Sequence, residues 1–204
     1  MGPGAIDAKR PAFLPLMTSI PKLQGIFISV ATPFNHKGEI WETKVEHNVE
    51  KWNRTTVAGY VLGGDPSLTP GENSRLLELV TKFAAPGKTV FAEAPEGLYG
   101  WDRGFAQALA GGATGVISTI ANALPYTMIS IWEAHRTRDF EAAADWQNRI
   151  AGAVELIERP NGIAALKYAM DLNGYYGGPP RLPLTVLTPD QKREVERAFE
   201  GIKG

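Results

Sequence analysis

Cysteine is absent from the 204 residues. Its absence excludes disulfides, thiolate nucleophiles and zinc–thiolate centres. An excess of one charge is also missing. Lysine and arginine number 21 against 22 acidic residues, a net charge of −1. Such a balance gives no electrostatic reason to expect nucleic acid or an acidic membrane surface as partner. No apolar run approaches the roughly 18 residues of a membrane span. The three histidines, His36, His47 and His135, show no metal-ligand spacing, so no metal ion is expected. There is no G-x-G-x-x-G and no Walker pattern, so no nucleotide cofactor is expected either. What remains is 44% hydrophobic and 21% charged residues, enough for a folded domain with a sizeable core. A cysteine-free composition suits a cytoplasmic protein.

Residues 1–20 read as an irregular leader interrupted by Pro11 and Pro15, with Met17 as a candidate natural start. A regular alternation then begins. "GIFISVA" (25–31) is a nearly continuous apolar run, the pattern of a strand buried on both faces. Trp41, Val45, Val49 and Trp52 follow at helical spacing. "GYVLGG" (59–64) is a second strand. Thr69, Pro70 and Glu72 form a capping box that opens a helix with Leu76, Leu77, Val80 and Phe83 as its apolar face. "TVFAEA" (89–94) is a third strand, followed by a helix with Phe105 and Leu109. "GATGVISTIA" (112–121) is a fourth. Pro125 opens a helix with Ile129 and Trp132. One long helix is expected over 139–157, a short one around Lys167, and a last one from a second capping box, Thr188 to Gln191.

Strand–helix alternation repeated four times predicts a parallel sheet with crossover helices. The expected organisation is a leader over 1–20, a βα region over 21–137 and a helical region over 138–204. In parallel sheets of this kind ligands sit at the carboxyl ends of the strands. That places interest on 32–34, 63–67, 93–97 and 118–122.

Several stretches together resemble the dihydrodipicolinate synthase / N-acetylneuraminate lyase family. They are "GIFISVATPFNHKGEI", "GYVLGG" with "PSLTPGENSRLLELV", "AGGATGVISTIANALPYT", and "AALKYAMDLNGYYGGPPRLPL" followed by "LTPDQKREVERAF". The resemblance implies a TIM-barrel-derived α/β fold with a C-terminal helical extension. It also implies Schiff-base carbon–carbon lyase or synthase chemistry on pyruvate or a related 2-oxo acid, and a homo-oligomer. A full barrel needs about 250 residues, so about four βα units are expected here, those of strands seven, eight, one and two. An open parallel sheet with flanking helices is the alternative. The family's "YYN"-type tyrosine and its "G-[IVL]-K-[ED]" lysine motif are both missing from this sequence. No catalytic residue is therefore assigned, and the chain as written is expected to be inactive. It would be a shortened lyase, a non-catalytic half-barrel or interaction protein, or part of an active family enzyme.

Four residues are substrate-binding candidates. Thr32 ends the first strand. Gly63 and Gly64 stand where the family carries a hydroxyl pair for the substrate carboxylate. Ile117 matches a position whose backbone borders pyruvate in the family. Lys167 draws attention as a lysine among apolar residues, since a desolvated amine is a potential nucleophile. Its helical placement favours a stem lying along apolar neighbours with its head in water. Lys88 precedes its strand and so sits at the wrong end. Tyr126 is a candidate for the mouth. Tyr175-Tyr176 lacks the asparagine of the catalytic motif. Glu93 and Glu96 read as exposed loop acids.

Overall fold

The computed structural model describes residues 23–202. The leader expected over 1–20 lies outside the described residues. Four strands, β1 (Gly25–Ser29), β2 (Gly59–Val61), β3 (Thr89–Phe91) and β4 (Gly115–Ser118), form one parallel sheet in the order β3-β2-β1-β4. Phe27 stands opposite Gly59 of β2 and Ile117 of β4, and Tyr60 opposite Val90. The sheet is a partial barrel wall of βα units, as the alternation predicts.

Strand order corrects one expectation. β3 lies beside β2, in the third-strand position of a barrel, rather than beside β4 as a seventh strand. The place next to β4 is held by a single bridge from Tyr99 to Val116. Tyr99 N–H donates to the Gly115 carbonyl, and Ile117 N–H to the Tyr99 carbonyl. The chain therefore skips strands after β3, between Phe91 and Tyr99.

Alternate sheet residues face opposite sides. Ile26, Ile28, Tyr60 and Val116 join the main core beneath the helices. α1 (Glu42–Asn53) inserts Val45, Val49 and Trp52 there, at the spacing read from sequence. α2 (Pro70–Phe83) starts at the expected capping box. Its buried residues are Leu76, Leu79 and Val80, whereas Leu77 and Phe83 are half-buried. α3 (Phe105–Ala110) buries Phe105 and Leu109. After β4 a short 3-10 turn over 120–122 leads to α4 (Pro125–Arg136), which buries Met128 and Ile131 and leaves Ile129 and Trp132 half-buried.

The single long helix expected over 139–157 is two. α5 (Phe140–Arg149) and α6 (Ala151–Glu158) meet at Ile150, whose φ of −89° and ψ of −2° interrupt the ladder. Ile150 is completely buried, so the break lets both helices turn their apolar residues inward. Phe140, expected on the buried face, is 56% exposed. α7 (Gly162–Leu172) carries Lys167, and α8 (Pro189–Phe199) begins at the Thr188–Gln191 capping box. α6, α7 and α8 pack on one another, and α7 also reaches the turn after β4. No helix among the described residues is long and apolar enough to cross a membrane.

Candidate functional site at the strand ends

The carboxyl ends of β1, β2 and β4 border a cavity of about 530 Å³, closed from above by α7 and the 180–184 segment. A larger depression of about 780 Å³ lies on the outer surface of α7 and α8, away from the strand ends. The smaller cavity is the one the sheet topology designates for a ligand. Its wall includes Ser29, Thr32, Phe34, Asp65, Lys167 and Arg181.

Two buried polar side chains outside the wall brace the strand ends that border it. Asn122 donates to the carbonyls of Ser29 at 2.7 Å and Thr119 at 2.8 Å, and accepts from Ala31 N–H at 3.0 Å. It ties the ends of β1 and β4 together. Asp102 accepts from Ser118 Oγ at 2.5 Å and from the N–H groups of Thr119 and Ile120 at 3.0 and 2.9 Å. Thr119 is part of the cavity wall, so Asp102 places it there. Burial pushes the Asp102 carboxyl up to about 6, and its three donors pull in the opposite direction.

Arg181 closes one side. Its guanidinium donates to the Ser67 carbonyl at 2.9 Å, to the Gly38 carbonyl, and to Glu72 at 2.7 Å. It also lies 4.2 Å from the Phe34 ring centroid. One side chain thereby joins the loops after β1 and β2 to the start of α2. The Arg181 hydrogen bonds, followed by the Thr69 N–H, hold the Glu72 carboxyl down at about 2.

Lys167 departs from its expected setting. The residue is 2% exposed, so its head is not in water. Nζ donates to the Thr32 carbonyl at 2.5 Å and the Gly177 carbonyl at 2.8 Å. The Gly177 contact requires glycine, because a Cβ there would meet the Lys167 carbonyl oxygen at 1.9 Å. Burial pushes the amine down to about 8, and the charges of Asp65 and Asp171 act in the opposite direction. The local apolar pattern was visible in sequence. The two backbone acceptors were not.

The substrate-binding candidates are split by the fold. Thr32 and Gly64 line the cavity. The Thr32 hydroxyl is buried and has no hydrogen-bond partner among the described residues. Gly63 faces a separate depression beside α2. Its φ of +81° and a virtual Cβ 2.7 Å from the Ala92 carbonyl oxygen make it a turn glycine. Ile117 lies on β4 outside the cavity wall, and its N–H is committed to Tyr99 at 2.8 Å.

The other candidates have structural settings. Lys88 donates to the carbonyls of Thr55 and Val57, away from the cavity. Tyr126 is 46% exposed and stands outside the wall. The backbone of Tyr176 is held on both sides by Asn48, at 2.7 and 2.8 Å. Glu93 and Glu96 are both exposed. Among the described residues no tyrosine belongs to the cavity wall. Sequence reasoning missed Asp102 and Arg181. Arg181 could have been found, since it is the one charged residue in the "GGPPRLPL" segment. Asp102 carried no local signal.

The model of the dihydrodipicolinate synthetase family matches residues 88–202. A 4-hydroxy-tetrahydrodipicolinate synthase of Archaeoglobus fulgidus is 28% identical over 92 residues, 45% of this chain and 32% of that protein. An uncharacterized DapA-like lyase of Halobacterium salinarum is 31% identical over 99 residues, 48% of this chain and 33% of the relative. The matched stretch thus spans about a third of these curated relatives. Solved structures extend the likeness in fold. A dihydrodipicolinate synthase superposes with a TM-score of 0.77 at 16% identity, covering 87% of this chain and 98% of that one. An N-acetylneuraminate lyase from Mycoplasma synoviae gives 0.74 at 15%, covering 89% and 99%. With a partial TIM-barrel wall, a cavity at its strand ends and a family match over more than half its length, this chain belongs to the dihydrodipicolinate synthetase family.

Proposed function

We propose that this chain holds a small 2-oxo acid such as pyruvate non-covalently in the cavity at its strand ends and does not turn it over. The unpartnered hydroxyl of Thr32, buried in the wall of that cavity, carries the reading. A buried polar group normally has a partner, and a bound carboxylate or keto oxygen would supply one. Gly64 adds a stretch of wall without a side chain, and Gly63 turns the chain into it. Ile117 supports the wall from behind as a sheet residue.

Turnover by Schiff base would need a neutral amine aimed at the substrate carbonyl and a group to relay protons. The family's lysine and tyrosine motifs are missing, and no tyrosine stands in for the latter in the wall. The Lys167 amine is tethered to two carbonyls. The division into a leader over 1–20, a barrel part over 21–137 and a helical part over 138–204, like a cytoplasmic homo-oligomer, belongs to the same proposal.

The test is to titrate the protein with pyruvate by calorimetry, then treat the mixture with borohydride and measure intact mass. Saturable binding with an unmodified mass is expected. No detectable binding would overturn the binding reading. A stoichiometric adduct on Lys167 would overturn the non-covalent one.

A further inference from the structure

We infer that Lys167 is the carboxylate anchor of this cavity, with the Thr32 hydroxyl as the second donor. The inference rests on the binding reading above and adds the residue that gives it charge selectivity. A buried ammonium is ordinarily paired with an anion, because removing it from water is costly. Lys167 is only 2% exposed, yet it forms no ion pair among the described residues. Its two hydrogen bonds go to neutral carbonyls, those of Thr32 and Gly177. An ammonium has three donors, so one is left over. The Phe34 ring centroid lies 5.1 Å away and offers only a π-face.

The charged groups around the amine do not ion-pair with it, although Asp65 shares the cavity wall. Asp65, on the loop after β2, acts on it through space but spends Oδ1 on Ser67 N–H and Oγ, at 3.0 and 2.6 Å. Asp171, on α7, accepts from Gly177 N–H at 2.9 Å. Arg181 is bound to Glu72, and Tyr176 donates its hydroxyl to the Phe34 carbonyl. The two aspartates favour the protonated amine at neutral pH without capping it. The carbonyl oxygen of Thr32 accepts from Nζ, and the hydroxyl of that same residue is unpartnered. Thr32, a residue of the cavity wall, thus holds the charged donor through its carbonyl and carries a second, unpartnered donor of its own. A carboxylate fits this pair, because it is acceptor-only and has two oxygens. A neutral amide gives the amine no direct ion-pair partner.

The experiment compares pyruvate with pyruvamide, by calorimetry on the full chain, at pH 6.5 and pH 9.5. Circular dichroism confirms the fold at both values. At pH 6.5 pyruvate is expected to bind at least about tenfold more tightly than pyruvamide, the difference between a charge-assisted and a neutral hydrogen bond. That preference should shrink at pH 9.5, above the value of about 8 to which burial lowers the amine. Thr32→Val, which keeps the side-chain shape, should weaken pyruvate several-fold while leaving the pH dependence in place. Lys167→Met should abolish the preference if it folds, and the wild-type comparison stands if it does not. Equal affinity for both ligands, or pyruvate affinity unchanged between the two pH values, would overturn the anchor and leave the binding reading standing. No binding of either ligand would overturn both.

Discussion

At the scale of single residues, Asp102 has the most to lose. It is 6% exposed and receives three hydrogen bonds. Its carboxyl is raised from the ordinary 3.8 to about 6, mainly by burial. Between those values the folded state binds a proton that the unfolded chain has released. Stability from this group therefore falls as pH rises from about 4 through 6. Asp102→Asn keeps an oxygen for the two N–H donors and removes the titration. Relative to the variant, the wild type should lose on the order of 3 kcal/mol between pH 4 and pH 7. Urea unfolding at the two pH values measures this, and a flat difference would rule it out. Asp102→Ala leaves two buried N–H groups unpaired and should cost about 2–3 kcal/mol at any pH.

At the scale of elements, the start of α2 is both a helix cap and a junction. Thr69 Oγ1 accepts from Glu72 N–H at 3.3 Å, and Glu72 Oε2 accepts from Thr69 N–H at 2.9 Å. The same carboxylate binds Arg181. Thr69→Ala is expected to lower stability by about 1 kcal/mol and to leave pyruvate affinity unchanged, since Thr69 lies outside the cavity wall. Thermal unfolding and calorimetry check the two halves of that statement. Because the Glu72 carboxyl is depressed to about 2, its contribution is present in full above the ordinary carboxylate range and is lost progressively as pH falls from there to about 2.

Elements of this kind were legible in sequence because their partners are three residues away. Both capping boxes, the faces of α1 and α3, and the carboxyl-end location of the cavity follow from local pattern. The neighbour of β3 did not, because strand order is a non-local choice between two edges. Nor did the setting of Lys167, whose acceptor at Thr32 is 135 residues distant. Its apolar flanks suit a snorkelling lysine and a buried one equally well. The break at Ile150 is likewise invisible to a periodicity that continues across it.

At the scale of the whole molecule, the sheet of the described residues does not close: among them β3 has one neighbour, and beyond β4 there is one bridge from Tyr99. Unpaired strand edges invite pairing with another chain. Leu182, in the 180–184 segment over the cavity, adds apolar surface at 79% exposure, and Val186 adds more at 70% beside a separate depression. Light scattering at micromolar concentration is expected to give a dimer or larger species. A monodisperse monomer would contradict this.

The skip between Phe91 and Tyr99 has a consequence for connectivity. Seven residues, Ala92 to Leu98, carry the chain from one lip of the open sheet to the other. Along a flat sheet that is four strand spacings, about 19 Å, which seven extended residues can just reach. Yet what joins the two sides is elsewhere. β1 pairs with β4, Trp52 donates to Asn122, Asn48 clasps Tyr176 and Lys167 holds Thr32. Residues 23–91 and 99–202 are in effect two interlocking pieces. The covalent thread between them determines the order in which they are synthesised, and the architecture would outlast its being cut.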